Sequence, residues 1–325
     1  MNAETFAEWL RRQGYPVVRT LSSYWYEASP RVYQSFPYHW VIQPREEELT
    51  NLLRERKAIA LRYSTSIGNP SGCISYHAIY EEPSYSLDQL DRRSRQNVRT
   101  GLKNCRIEPV PLERLAKEGW SLELDTAQRQ GRRLSVDQAA WEKRLRAAVD
   151  LPGFEGWGAF VEGRLVASLF GVQIDDCCEL ISQQCHRDFL AARVNNALTF
   201  IVTQTMVNRG DIHSVFYTLQ SLDAHSNVDE FKFRMGYTAK PLRQRVVFHP
   251  WIKSFAIPFM HKILRNLLRK DPENAKLSKG EGLLRFHLEG RRSLAKQTWP
   301  ECLGEHKATL LQKFSQLQAS EAAET

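Results

Sequence analysis

Apolar residues recur at the spacing of one helix face at the start of the chain, at Phe6, Trp9 and Leu10, and Gly14 follows as a stop signal. This pattern predicts a first helix over 3–13. Similar spacing predicts further helices over 44–56, 86–106, 112–130, 135–149, 195–209 and 228–235. Two of them open on Ser-x-x-Gln segments, at Ser86 and Ser135, which are typical of capping boxes at helix N-termini.

Short apolar runs predict the strands that lie between these helices. They cover 39–43, 58–66, 73–81, 158–162, 164–173, 179–184, 215–220 and 243–249. The turn residues at 68–72 predict that the second and third strands form a hairpin, and Glu162 with Gly163 predicts another. Residues 15–38, rich in Tyr, Ser and Pro, are expected to be irregular, and 271–281 are expected to form a linker.

The composition is typical of a globular protein. Hydrophobic residues make up 42% of the 325 positions and charged residues 25%, which argues against disorder throughout. No run of about 18 apolar residues occurs, and the first ten residues lack the apolar segment of a secretory signal. We therefore expect a cytoplasmic protein. The net charge of +8 suits nucleic acid, a membrane surface or an anionic cofactor equally well.

The cysteines are too sparse and too irregularly spaced for a disulfide scaffold. Three of them, Cys177, Cys178 and Cys185, lie close to His186 and form the only cluster with metal-ligand chemistry. Adjacent cysteines on a strand point to opposite faces, and zinc sites need paired short loops of two ligands each. We therefore predict no metal site.

Four short segments, taken in order, resemble the GNAT superfamily of acyltransferases, and most closely its FemAB-type branch. They are the basic segment at 92–99, the segment at 126–131, the hairpin at 160–167 and the segment FKFRMGY at 231–237. The resemblance implies an α/β (α+β) fold, with a mixed sheet flanked by helices. It also implies two GNAT-like lobes, over 1–110 and 111–250, followed by a helical extension over 251–325.

The resemblance implies transfer of an acyl (acetyl) or aminoacyl group to an amine of a polar acceptor, by direct attack without a covalent enzyme intermediate. The acceptor would be a small molecule or a cell-envelope precursor. The donor would be acetyl-CoA or another acyl-CoA, or else an aminoacyl-tRNA. Related enzymes have glycines in the loop that meets the donor phosphates, whereas this chain has none between Arg187 and Gly210. The donor therefore remains open.

The resemblance also selects candidate site residues around the helix at 195–209. A helix N-terminus offers free amides and a positive dipole end to phosphate. Arg187 and Arg193 precede this helix and would contact the donor, and Asn195 or Asn196 would cap it. Tyr217, on the strand that follows, is a candidate general acid for the leaving group.

Three further segments supply candidates for the acceptor side. Asp223 and His225 lie in the loop after the strand at 215–220, where a base can accept the proton of an acceptor amine. Arg99, on the basic helix, and Lys232 are candidate substrate contacts. The alternatives for Arg99 and Lys232 are a solvated helix face and packing.

Two other functions remain compatible with the sequence. A degenerate acyltransferase fold could act as a non-catalytic binding module, or the basic surfaces could bind RNA or a membrane. Residues 251–270 have apolar side chains at helical spacing with Lys and Arg elsewhere, a pattern of amphipathic helices that lie on membranes. Peripheral membrane contact is therefore one expectation, and packing on the enzyme body or on a second copy is the other. Pro258 is expected to kink this helix.

Overall fold

The computed structural model describes residues 1–131, 134, 136–222 and 229–312. Its core is one sheet of eleven strands, in the order β1-β2-β3-β4-β11-β5-β10-β9-β8-β7-β6. The strands are β1 Val17–Arg19, β2 Tyr24–Ser29, β3 Val32–Phe36, β4 Ala60–Thr65, β5 Cys73–Tyr80, β6 Arg106–Val110, β7 Phe154–Val161, β8 Arg164–Ile174, β9 Cys177–Cys185, β10 Ser214–Leu219 and β11 Thr238–Phe248.

Helices cover both faces of this sheet, which confirms the predicted fold class. They are α1 Ala3–Gln13, α2 Glu46–Glu55, α3 Arg92–Asn104, α4 Leu112–Glu118, α5 Trp120–Arg129, α6 Gln138–Arg146, α7 Val194–Val207, α8 Glu230–Arg234, α9 Pro250–Lys253, α10 Pro258–Lys270 and α11 Ala275–Glu289. None of the helices in the described part of the chain is long and apolar enough to span a bilayer.

The first predicted helix is confirmed at both ends. The Asn2 side chain accepts hydrogen bonds from the backbone amides of Glu4 and Thr5. Gly14 ends the helix with a φ of 94°, a left-handed conformation that costs glycine little. Phe6 and Trp9 are buried in a core on one face of the sheet. α1 is thereby fixed to the sheet through its apolar side.

The two sheet faces have separate cores on the C-terminal side of the molecule. One core joins α1, α4, α5 and α6 to β7 and β8. The other joins α3 and α7 to β8, β9 and β10. Adjacent Cys177 and Cys178 are buried in different clusters, as the strand alternation predicted.

The predicted hairpin over 58–81 is wrong, although both of its strands exist. β11 lies between β4 and β5 and pairs antiparallel with each, so that Arg243 is opposite both Thr65 and Ile74. Because both are antiparallel to β11, β4 and β5 run parallel to each other, so the chain keeps its direction through the turn residues at 68–72. These turn residues do not specify which strand becomes the neighbour. β11, which comes from much later in the chain, takes that place, and β5 is buried at every position as a result.

Two predictions about residues 15–43 are also corrected. Residues 15–38 are not irregular but form β1, β2 and β3, because the tyrosines there favour a strand more strongly than Ser and Pro oppose it. The segment at 39–43 is not a strand. Only Ile42 bonds to β4 there, with its amide donating to the Ser64 carbonyl oxygen, and one such bond does not make a ladder.

Helix boundaries depart from the predictions in two places before residue 150. The capping box at Ser86 is present, but it caps a short 3-10 turn, and α3 begins anew at Asp91. The single helix predicted over 112–130 is divided at Gly119 into α4 and α5. The second box at Ser135 lies outside the described residues, and Asp137 caps α6.

The C-terminal extension is more regular than expected. Pro258 does not kink a helix but begins α10, where its missing amide has no intrahelical partner to lose. The predicted linker over 271–281 is wrong, because α11 begins at Ala275 behind an Asn274 cap. Leu283 and Phe286 of α11 pack in a buried cluster with Val246 of β11.

Candidate functional site

The parallel strands β9 and β10 separate after a short contact. Only Ser214, Val215 and Phe216 of β10 pair with β9, opposite 177–179. Beyond Glu179, β9 continues to Cys185 while pairing only with β8 on its other side. One edge of β9 therefore has no strand partner within the described chain. An extended molecule can take that place by bonding to the backbone groups that have no strand partner.

Two polar side chains bridge this gap between β9 and β10. The Tyr217 hydroxyl on β10 donates to Gln183 Oε1 on β9. Gln183 Nε2 in turn donates to Asn195 Oδ1 at 2.7 Å and to Thr199 Oγ1 at 2.8 Å, both on α7. Burial raises the pKa of Tyr217. Its hydroxyl therefore keeps its proton at neutral pH and is available as a donor.

The N-terminus of α7 lies beside this gap and is shaped by Arg193. Arg193 occupies the N-cap position with a φ of 60°, and no side chain caps the helix. The prediction that Asn195 or Asn196 caps α7 is therefore wrong. Asn195 is held by Gln183, and Asn196 donates to the Met235 sulfur at 3.5 Å.

The two arginines predicted to meet the donor differ in their partners. The Asp125 carboxylate of α5 accepts hydrogen bonds from the Arg187 backbone amide, at 2.8 Å, and from Arg187 Nε, at 2.5 Å. Burial raises the pKa of Asp125, but the Arg187 contacts outweigh it and lower that pKa overall. Arg193 is exposed, and its side chain bonds to no described residue. Arg193 is therefore the freer of the two for a ligand.

Helix α3 packs closely against the same helix end. A Cβ built on Gly101 of α3 would lie 2.4 Å from the Arg193 carbonyl oxygen and 2.8 Å from Ala197 Cβ. The absence of a side chain at Gly101 thus lets the two helices approach backbone to backbone. Arg99 is exposed on α3. It lies on a helix that directly contacts the start of α7.

Lys232 is held in a buried ion pair next to Tyr217. Its Nζ contacts Asp229, and it lies 5.2 Å from the centroid of the Tyr217 ring. The Tyr76 hydroxyl donates to the other oxygen of Asp229. Burial lowers the pKa of Lys232, while the Asp229 charge opposes that shift. Asp223 and His225, the candidates for the base, lie outside the described residues.

A buried His–Glu pair that was not predicted from the sequence lies where β9 and β10 separate. Glu179, the last residue of β9 that pairs with β10, is 1% exposed. Its Oε1 accepts from the His39 backbone amide and lies 2.8 Å from His39 Nδ1, whereas no described residue bonds to the buried Oε2. Burial alone would lower the pKa of His39. Hydrogen bonds to Cys177 and Glu179 outweigh it and raise the pKa to about 10.

One signal in the sequence could have identified this pair. Glu179 lies inside the apolar run CCELI at 177–181, and a carboxylate in such a run needs a partner when the strand is buried. Nothing local indicates that the partner is His39, which is 140 positions away. No cluster of side chains able to hold a metal ion occurs among the described residues.

Two solved structures have a similar fold. The chain is similar to the C-terminal domain of a protein assigned as a lysylphosphatidylglycerol synthetase from Agrobacterium fabrum, with 12% identity and a TM-score of 0.54. That match covers 78% of this chain and 89% of the other. It is also similar to FemX, with 11% identity and a TM-score of 0.55, over 77% of this chain and 92% of FemX.

A tandem GNAT protein from the clavulanic acid biosynthesis pathway matches at 12% identity over 71% of this chain and 81% of that one. Its TM-score of 0.43 is too low to carry an argument. No protein-family model and no curated protein sequence matches the chain. Identities this low bear on the fold alone. The chain thus shares the fold of FemX, in line with the resemblance of its segments at 92–99, 126–131, 160–167 and 231–237 to the FemAB-type branch.

Proposed function

We propose that the protein is an acyltransferase that moves an acyl or aminoacyl group from a thioester or tRNA-linked donor to an amine of a polar acceptor. The observation that carries this proposal is the separation of β9 from β10 after Glu179. It leaves a strand-shaped opening that ends beside the N-terminus of α7. The acyl arm of a donor would lie in that opening, with its phosphates toward Arg193 and α3.

The acceptor amine would attack the donor carbonyl carbon directly. A new C–N bond forms, the C–S bond of a thioester or the C–O bond of a tRNA ester breaks, and the leaving sulfur or oxygen needs a proton. Tyr217 suits that role, since burial keeps its hydroxyl protonated and places it between the two strands. In the proposed site the hydroxyl would exchange its bond to Gln183 for one to the leaving group.

This arrangement offers two candidates for the base that accepts the amine proton. Asp223 and His225 follow β10 in sequence. The alternative is Glu179, whose unbonded Oε2 lies at the root of the opening. His39 would then keep Glu179 oriented through the contact of its Nδ1 with Oε1.

The proposed class of donor rests on the positive charge of two exposed arginines. The start of α7 lacks the glycines that allow close backbone approach to a pyrophosphate, and Arg193 stands there instead. The exposed Arg99 and Arg193 suit a donor with many phosphates. The proposal therefore includes both an acyl-CoA and an aminoacyl-tRNA. The acceptor is proposed as a small molecule or an envelope precursor.

A thermal-shift titration tests the proposal, with acetyl-CoA, longer acyl-CoAs, free coenzyme A and a charged tRNA as probes. A probe present at about 100 times its dissociation constant stabilises the folded state by about 2.7 kcal/mol, which raises the Tm by several degrees. Arg193→Ala should abolish the shift. Arg54→Ala, which removes an exposed arginine of α2, is the matched control and should preserve it.

The outcomes separate the candidate functions. A shift by acyl-CoA alone assigns a thioester donor, and a shift by charged tRNA alone assigns an aminoacyl donor. If no probe raises the Tm, the transferase proposal fails and a binding module on this fold takes its place. A shift that Arg193→Ala leaves intact would place the donor elsewhere on the molecule.

A further inference from the structure

The segment 250–270, which contains α9 and α10, exposes large apolar side chains. Trp251 is 83% exposed, Phe255 67% and Phe259 65%. No other Trp or Phe in the described part of the chain is exposed. Aliphatic side chains extend this surface, at Ile252, Ile257 and Leu267. We call these six residues the apolar edge. An exposed apolar surface of this kind marks an interaction site.

Positive charge surrounds the apolar edge. The same segment contains five cationic side chains and no Asp or Glu: Lys253, Lys262, Arg265, Arg269 and Lys270. All five are exposed, and none forms an ion pair with a residue that the structure describes. The segment is therefore cationic and apolar at once, without internal neutralisation.

The orientation of the apolar edge is fixed by the body of the protein. α10 packs against α11, and His261 Nε2 on α10 lies 2.7 Å from Glu281 Oε1 on α11. Ala256, between α9 and α10, is buried. The inner side of the segment is thus attached to the body of the protein, and its aromatic side chains are exposed.

We propose that the apolar edge docks this protein on the surface of an anionic lipid bilayer. Trp251, Phe255 and Phe259 would enter the boundary between head groups and acyl chains, where amphipathic aromatic residues are favoured. The five cations would contact lipid phosphates and gain from the negative surface potential. This inference is independent of the proposed reaction and of the donor.

Charge and chemistry favour a bilayer over the other possible occupants. A second copy meeting the first through this edge would bring two sets of five unpaired cations together, which repel. A nucleic acid would attract the cations, but Ile252, Ile257 and Leu267 cannot stack on bases as aromatic rings do. A bilayer interface accommodates the aliphatic and the cationic side chains at the same time.

Vesicle co-sedimentation of the full chain tests this proposal. The vesicles are phosphatidylcholine alone, or phosphatidylcholine with phosphatidylglycerol. The first variant, Trp251→Ser/Phe255→Ser/Phe259→Ser, keeps all charges, and the second, Lys262→Gln/Arg265→Gln/Arg269→Gln, keeps all aromatics. The control, Arg54→Gln/Arg56→Gln/Lys57→Gln, removes three exposed cations near the end of α2.

We expect the wild type to sediment with the anionic vesicles and not with the neutral ones. Each of the first two variants should bind about tenfold or more weakly, from the lost apolar burial or the lost charge. The control should bind as the wild type does. Far-UV circular dichroism checks that all the variants are folded. We expect them to be, because every substituted residue is exposed.

Three results would overturn the proposal. The wild type could fail to bind anionic vesicles. The aromatic variant could bind as tightly as the wild type, which would reduce the contact to charge alone. Finally, the wild type could be a dimer without vesicles and the aromatic variant a monomer, which would assign the apolar edge to a second copy.

Discussion

Replacing Gly101 of α3 by alanine tests the contact that places α3 against the start of α7. Helix propensity alone predicts that a Gly-to-Ala change inside a helix stabilises a protein by about 1 kcal/mol. The structure predicts the opposite sign. An added Cβ would lie 2.4 Å from the Arg193 carbonyl oxygen and 2.8 Å from Ala197 Cβ. Ordinary contact needs at least 3.4 Å, so a backbone atom has to move by about 1 Å.

The magnitude follows from these two opposing effects. Overpacking at a close contact between two backbones costs about 1–3 kcal/mol, and the gain in propensity offsets about 1 kcal/mol of it. We expect Gly101→Ala to lower the free energy of unfolding by up to about 2 kcal/mol and the Tm by up to a few degrees. The movement of Arg193 should also weaken donor binding.

Gly280 provides a matched control on another helix. It lies inside α11, and a Cβ built there meets nothing within 4 Å. Gly280→Ala should therefore stabilise the protein by up to about 1 kcal/mol. Thermal and urea unfolding of both variants measure the contrast. If Gly101→Ala stabilises the protein as much as Gly280→Ala does, the close contact between α3 and α7 is not as described.

Two further predictions concern buried charges. Burial and the charge of His39 lower the pKa of His77 to about 3. Between pH 6.5 and 3 the unfolded chain therefore binds a proton that the folded chain does not. As the pH falls through this range, the free energy of unfolding measured with urea should therefore decrease by about 1.4 kcal/mol per pH unit less for His77→Gln than for the wild type. Equal slopes for the two proteins would contradict this prediction. Lys232→Met leaves the buried Asp229 charge unpaired and should cost about 3 kcal/mol. The double variant with Asp229→Asn should recover most of that loss, and no recovery would argue against the ion pair.

Local patterns in the sequence predicted most elements of the second half of the chain. The spacing of apolar residues in α7 and the turn at Glu162 and Gly163 depend on neighbours a few positions away, and both are confirmed. Strand order depends on contacts across the whole chain. The position of β11 between β4 and β5 has no local signal, because any of several strands can complete the edge of β4.

The same distinction applies to the candidate site. The resemblance selected Tyr217, Asn195 and Lys232 as separate candidates. The structure joins them through Gln183 and through the contact of Lys232 with the Tyr217 ring. The partners of buried charged residues were not predicted from the sequence. Asp125 holds Arg187 from 62 positions away. Such pairs depend on the packing of distant elements, which a single sequence does not reveal.

The central claim is that a donor fills the opening beside β9. Hydrogen–deuterium exchange of 180–185 tests it directly, because alternate amides of a strand face each neighbour and those facing β10 have no strand partner. The measurement is made with and without acetyl-CoA, and again with charged tRNA. We predict that whichever probe raises the Tm also slows exchange in 180–185 and at the start of α7. A probe that raises the Tm but leaves exchange in 180–185 unchanged would contradict the claim.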